Sequence, residues 1–245
     1  MIRIAVLDDY QRRAPGYADW DALGAGTDVA FFSDPIGQAQ LPDVLARFEV
    51  LVLMRERTRF GRDVLEQLPQ LRLLVTTGMR NAAVDVAYLN ERGVTVCGTA
   101  GTSGPPPAGV PTTAEVAWAL ILAVAKRIVP EDRSLRAGTW QLGTPATLGG
   151  ATLGLAGLGN LGAAMVGPAR AFGMDVIAWS QNLTEERAAS VGVRRVSRDE
   201  LLAAADFLSI HLVLSERTRG LFGVSELARM KPTAVLINTS RGPIV

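Results

Sequence analysis

Histidine and cysteine, the residues that most often carry acid–base and redox chemistry, are almost missing from this chain. It has one of each, His211 and Cys97. A single cysteine excludes an internal disulfide and fits a reducing cytosol. Cys97 closes the apolar run Val94-Thr-Val-Cys97, where a small core residue is expected rather than a reactive thiol. No metal site is assigned. An excess of charge is missing too: 25 Lys and Arg stand against 24 Asp and Glu, a net charge of +1. No run reaches about five like charges, so nothing marks nucleic acid or acidic lipid as a partner. Long hydrophobic runs are missing as well. The most apolar stretch, Val116 to Ala125, offers about ten residues where a bilayer needs roughly 20. No signal peptide is visible, because Met1-Ile-Arg-Ile-Ala-Val-Leu7 reads straight into a strand. What is present, 48% hydrophobic and 20% charged residues over 245 positions, is globular and long enough for two domains.

The first hundred residues alternate short apolar runs with helical spacing. Strands are expected at Ile2–Leu7, Val29–Phe32, Val50–Met54, Leu71–Thr76 and Val94–Cys97, with helices such as Gly61–Leu68 and Val84–Arg92 between them. That alternation predicts a parallel sheet covered on both faces. The breaker-rich stretch Gly98–Gly109 reads as a hinge or linker. Next, Thr112-Thr-Ala-Glu115 reads as a capping box with Thr112 as N-cap. The helix it opens is apolar nearly all round, is expected to end at Pro130 and must be buried, between domains or between subunits. A second series places strands at Ala151–Ala156, Asp175–Trp179, Val193–Val196, Phe207–Leu212 and Ala234–Asn238. The predicted domains are 1–100 and 101–245.

The chemistry concentrates in Thr152-Leu-Gly-Leu-Ala-Gly157-Leu-Gly159-Asn-Leu-Gly162. Gly-x-Gly-x-x-Gly after a strand and at the start of a helix (Leu161–Ala171) delivers a pyrophosphate to backbone N–H groups. The residues assigned to this contact are Gly157, Leu158, Gly159, Asn160, Leu161 and Gly162. About 20 positions on, where a carboxylate usually grips the adenine ribose, the chain reads Trp179-Ser180-Gln181-Asn182. Ser180 and Gln181 are assigned to the cofactor, and the choice between NAD and NADP stays open. His211, at a strand end, is read as a residue touching the nucleotide rather than as the general acid–base. Arg241, after Val235-Leu-Ile-Asn-Thr-Ser, can fork onto a carboxylate or polarise a carbonyl. The turn Thr76-Thr-Gly78-Met79-Arg80-Asn81 is either a small anion nest or a plain βα turn. Arg55 and Arg57 face the same cleft or solvent.

Taken in order, these segments resemble the D-isomer-specific 2-hydroxyacid dehydrogenases. The resemblance rests on Leu74–Asn81 with Asp85, Thr112-Thr-Ala-Glu115, Arg136-x-Gly-x-Trp140, the glycine motif, Ser209-Ile-His211-Leu, Thr218-Arg-Gly-Leu221, Met230-Lys-Pro232 and Ile237-Asn-Thr-Ser-Arg241-Gly-Pro243. It implies a flavodoxin-like substrate domain and a Rossmann-type dinucleotide-binding domain, with the active site between them. It also implies hydride exchange between NAD or NADP and a small 2-oxo or 2-hydroxy acid. Arg241 would bind and polarise substrate, and the backbone of Gly78, Met79 and Arg80 would hold its carboxylate. Thr113, His211, Leu212 and Thr239 would line the cofactor. A homodimer formed through the Thr112–Val129 region is implied as well.

Three departures stand out. The 180–182 segment lacks the usual aspartate, and Val213 stands where a proline is common. The family's glutamate–histidine pair also lies downstream of its Arg-Gly-Pro segment. The expectation is therefore a C-terminally truncated chain without its last strands. Arg241 would lie in a fraying terminus, beside an exposed apolar strand edge, and the 245-residue form would have weak or no turnover. The alternative reading is a non-catalytic nucleotide-binding protein, a sensor or a partner subunit.

Overall fold

A computed structural model describes residues 1–99 and 110–245. Most of the linker expected over Gly98–Gly109 therefore lies outside the described residues. The chain divides into two compact units, Met1–Pro105 and Pro106–Val245, and each builds its own parallel five-stranded sheet.

The first unit runs β1 (Ile2–Val6), β2 (Thr27–Phe31), α1 (Leu41–Leu45), β3 (Val50–Leu53), α2 (Arg62–Leu65), β4 (Leu73–Thr76), α3 (Val86–Glu91) and β5 (Thr95–Gly98). Its strand order, β2-β1-β3-β4-β5, is the flavodoxin-like winding. Continuous apolar runs form these strands because helices and loops cover both faces of a parallel sheet. Leu51, Leu53 and Leu74 pack with Phe48, Phe60 and Leu65 on one face. Ile4 and Val6 pack with Ala14, Trp20 and Phe31 on the other. Asp85 caps α3 by accepting the Tyr88 N–H at 3.0 Å.

The second unit runs α4 (Thr112–Ala125), α5 (Ile128–Arg136), β6 (Thr152–Ala156), α6 (Asn160–Ala164), α7 (Val166–Ala171), β7 (Asp175–Trp179), α8 (Glu185–Ser190), β8 (Arg194–Arg195), α9 (Arg198–Ala204), β9 (Phe207–Ile210), α10 (Val224–Leu227) and β10 (Val235–Asn238). The order β10-β9-β6-β7-β8 is the Rossmann winding, with the first strand central and the chain reversing beside it. The α/β class expected from sequence, flavodoxin-like plus Rossmann-type, is the fold observed.

Several local expectations are corrected. Thr112 is not an N-cap. Pro111 takes that place, and its carbonyl accepts from the N–H groups of Ala114 (2.7 Å) and Glu115 (3.0 Å). The donor that a capping hydroxyl would have satisfied is thus already engaged. The helix stops at Ala125, not Pro130, because Arg127 turns left-handed at φ 54°. Pro130 then falls in the first turn of α5, where no N–H is needed. The helix expected over Leu161–Ala171 breaks at Met165. Pro168 has no N–H for the Ala164 carbonyl, and its ring crowds that oxygen. Cys97 is exposed rather than buried, since β5 is the outer strand of its sheet.

The segment after β10 is not frayed. Gly220 and Phe222 donate to the carbonyls of Pro243 (2.8 Å) and Ile244 (3.1 Å), and Ile244 is fully buried against Phe222. β10 is the outer strand of its sheet, as expected, paired among the described residues only with β9, while its Ile237 side chain is buried in the core that α4 builds. Among the described residues, no helix is long and apolar enough to cross a membrane.

Candidate functional site

In a doubly wound sheet, the carboxyl ends of the strands open a crevice where the strand order reverses. In the second unit that point lies between β6 and β9, which pair in parallel from Leu153–Phe207 to Ala156–Ile210. The chain places the glycine loop after β6 and His211 after β9. Gly157 has φ 104°, a region that L side chains rarely adopt, and a Cβ there would sit 2.6 Å from the His211 carbonyl oxygen. A Cβ on Gly162 would overlap the Gly157 carbonyl oxygen. These two glycines let the loop lie directly on the strand end. Gly159 differs: a Cβ there would meet nothing within 4 Å. It is exposed together with Asn160, while Leu158 is buried. Gly159 is the N-cap of α6 and has no side chain to cap it, so the first-turn N–H groups need outside acceptors. The cradle is closed beneath and open above, as a diphosphate requires.

Leu212 packs against Gly157, 3.2 Å from the position of that Cβ. The His211 N–H donates to the Ala156 carbonyl at 2.8 Å, and its Nε2 lies 2.9 Å from the fully buried Ser209 hydroxyl. Burial lowers its pKa to about 4, so the imidazole is neutral at physiological pH. Its Nδ1 is buried without a hydrogen-bond partner, as is Thr239 Oγ1. Two unsatisfied buried polar atoms, just past the carboxyl ends of the neighbouring strands β9 and β10, ask for a polar ligand.

The loop after β10 is shaped by Asn238. Its Oδ1 accepts the Ser240 N–H and its Nδ2 donates to the Arg241 carbonyl, both at 3.0 Å. Ser240 Oγ donates to the Ile210 carbonyl at 3.0 Å, which ties this loop to the end of β9. The Arg241 side chain is exposed, with Nη1 donating to the Ser240 carbonyl at 2.9 Å. On the other flank, the Gly157 N–H donates to the Trp179 carbonyl at 2.8 Å, which brings Ser180 beside the loop. Gln181 is the next residue and is exposed. Thr113 stands exposed in the first turn of α4, a helix that packs on α6 and β10.

In the first unit, the turn after β4 is held by Asn81. Its Nδ2 donates to the Arg55 carbonyl (2.7 Å) and to Thr76 Oγ1 (3.0 Å). Gly78 has φ 105° and lies close to the Arg55 guanidinium. Its N–H donates to Thr99 Oγ1 at 2.9 Å. The Met79 side chain and Arg80 are exposed. Arg55 therefore shares this turn, whereas Arg57 turns to β1, donating to the Asp8 carbonyl and lying over the Tyr10 ring at 4.8 Å.

Sequence reasoning missed a cluster at this unit's own reversal point, between β1 and β3. Asp8 is buried, with φ 60°. Its carboxylate accepts from Thr58 Oγ1 (2.8 and 2.9 Å) and from the Tyr10 hydroxyl (3.0 Å). Asp9 accepts from the N–H groups of Arg13 and Ala14, each at 2.9 Å. The only advance signal was Asp8-Asp9 at a strand end. Among the described residues, no group of His, Cys, Asp and Glu forms a candidate metal site.

Comparison with known proteins agrees with this geometry. Residues 4–118 match the model of the D-isomer specific 2-hydroxyacid dehydrogenase catalytic domain, and residues 118–245 match that of the same family's NAD binding domain. A glyoxylate reductase of Korarchaeum cryptofilum is 36% identical over 75% of this chain and 55% of its own length. A D-3-phosphoglycerate dehydrogenase of Mycobacterium leprae is 34% identical over 91% of this chain and 41% of its own. The crystal structure of a phosphoglycerate oxidoreductase from Vibrio cholerae is 37% identical and superposes with a TM-score of 0.88, covering all of this chain and 77% of that one. The chain thus spans about half the length of the curated relatives it matches.

Proposed function

We infer the function from one premise: this chain belongs to the D-isomer specific 2-hydroxyacid dehydrogenases. We propose that the whole protein is an oxidoreductase acting on a small 2-oxo or 2-hydroxy acid. Bound nicotinamide dinucleotide would supply or accept the hydride at C2. The observation that carries the reading is the glycine cradle at the β6–β9 reversal, closed beneath by Gly157 and Gly162 and open only above Gly159.

In this reading Gly157–Gly162 hold the diphosphate. Ser180 and Gln181 meet the adenosine end, while Thr113, His211, Leu212 and Thr239 line the remainder of the nucleotide. Arg241 takes the substrate, its planar fork pairing with a carboxylate or polarising the 2-oxo group. Residues 1–100 form the substrate domain, where the backbone of Gly78, Met79 and Arg80 receives the carboxylate. Residues 101–245 form the cofactor domain.

His211 is the sole histidine of the 245 residues. With a pKa lowered by burial to about 4, it is a poor proton carrier near neutrality. A well-placed general acid contributes roughly 10²–10⁴-fold, and these residues hold no histidine for that task. Titration of the 245-residue chain with NADH and NADPH is therefore expected to give saturable binding of at least one of them. Turnover of glyoxylate or hydroxypyruvate should be weak. Absence of nucleotide binding would sink the reading, and brisk turnover would sink the assignment of His211.

Val116, Leu120 and Val124 form an exposed apolar stripe along α4, each 43–52% exposed. A second copy of the chain is proposed to cover it, making a cytosolic homodimer. Light scattering on the wild type and on Leu120→Glu tests this, with dimer and monomer the expected masses.

A further inference from the structure

We propose that the adenosine end of this site accepts the 2′-phosphate of NADP(H), and that Arg187 is the residue that binds it. The inference rests on the dinucleotide reading above and concerns which dinucleotide is taken. In Rossmann folds, a carboxylate at the end of the second strand accepts the ribose 2′-hydroxyl and repels a 2′-phosphate, while a nearby arginine welcomes it. The segment after β7 reads Ser180-Gln-Asn-Leu-Thr184, without a carboxylate.

The first carboxylates after β7 belong to Glu185 and Glu186, at the start of α8, and both are engaged elsewhere. Glu185 pairs with Arg195 Nη1 on β8 at 3.0 Å. Glu186 accepts from its own backbone N–H and from the Thr184 hydroxyl, which together lower its pKa.

Arg187 turns the other way. Its Nε lies 3.4 Å from the Leu158 carbonyl oxygen, inside the glycine loop. On the same flank, the Gly157 N–H is bonded to the Trp179 carbonyl. Ser180 and Arg187 therefore bracket one stretch of the loop, on the side opposite His211. A guanidinium carries five N–H donors, and the Leu158 contact uses one of them. Anchored through Nε, the side chain of Arg187 is exposed on the same flank of the loop as Ser180, the flank at the end of the second strand where the ribose is recognised in this fold. A phosphate monoester brings close to two negative charges near neutrality, which a planar guanidinium meets with paired hydrogen bonds. A purely structural arginine would fasten α8 to the loop and be indifferent to that phosphate.

Calorimetry on the 245-residue chain separates the two roles, with adenosine 2′,5′-bisphosphate and 5′-AMP as probes beside NADPH and NADH. The wild type is expected to favour the bisphosphate over 5′-AMP by tenfold or more. That preference should shrink steeply with salt, as an exposed charge contact must. Arg187→Ala should remove the preference while changing 5′-AMP affinity less than threefold, and Arg187→Lys should keep part of it. Retained NADH binding reports that the variant is folded. A wild type that favours 5′-AMP and NADH overturns the proposal but leaves the dinucleotide reading standing. So does a preference that survives Arg187→Ala. A wild type that binds none of the four overturns both.

Discussion

The two sheets reverse their strand order at comparable places and treat the resulting crevice in opposite ways. Between β1 and β3, the first unit fills the crevice with its own side chains: Asp8 accepts from Thr58 and Tyr10, and Arg57 crosses to the Asp8 carbonyl. Between β6 and β9, the second unit clears it. Glycines stand where side chains would collide, the histidine is uncharged, and two buried polar atoms are left without partners. Both arrangements obey the same winding rule. A reversal point is thus a geometric opportunity, and the residues beside it decide whether it is closed from within or kept for a ligand.

The sharpest way to break this contrast is to put a side chain into the cleared crevice. Gly162→Ala drives a methyl group into the Gly157 carbonyl. It is expected to cost about 3 kcal/mol and to abolish dinucleotide binding, as read by urea unfolding and calorimetry.

Next in size is the charge state of His211. Its folded pKa is depressed to about 4 by burial, against about 6.5 in the unfolded chain. The unfolded state therefore binds more protons across that window. Stability is full above about pH 6.5 and is lost as the pH falls toward 4. The loss is roughly 2 kcal/mol between pH 8 and pH 5. His211→Asn should flatten that slope, and an unchanged slope would locate the titration in another group.

In the filled crevice, Asp8→Ala strands the Thr58 and Tyr10 hydroxyls. A loss of about 1–2 kcal/mol is expected, with nucleotide affinity unchanged. Asp8→Gly should recover part of it by relieving the positive φ.

The smallest effect on the fold belongs to Gly159→Ala, whose methyl group meets only open space. Stability should shift by a few tenths of a kcal/mol, yet dinucleotide affinity should fall about fivefold because the phosphate needs that space. Equal stability losses for Gly159→Ala and Gly162→Ala would erase the distinction between the closed and open sides of the cradle.

How much of this was legible in the chain follows from how local each cause is. The strands were readable because both faces of a parallel sheet are buried, so Leu51–Leu53 and Leu153–Ala156 announce themselves as apolar runs. The glycine loop was readable because strand, loop and helix start are contiguous. Helix limits were less so. Thr112 carries the right side chain for a cap, but Pro111 begins the helix one residue earlier. The Met165 break depends on a proline three residues further on. The Asp8–Thr58 bond joins residues 50 positions apart, and no period reports such a pairing. The exposure of Cys97 depends on which strand ends the sheet, which is topology rather than pattern. The neutral state of His211 comes from burial among β6, β9 and the glycine loop, and is a property of the assembled edge.

The tie between 220–222 and 243–244 has a consequence in polymer terms. It closes a ring of chain that contains α10 and the turn into β10, while Ser240 fixes a second point at Ile210. Once the ends of a ring are fastened, its length matters only logarithmically, and doubling it adds about 0.6 kcal/mol. The exposed stretch around Val224 can therefore grow or shrink with little cost to the fold. Arg241, outside the part that varies and between two fixed points, keeps its place while the sequence of that ring drifts.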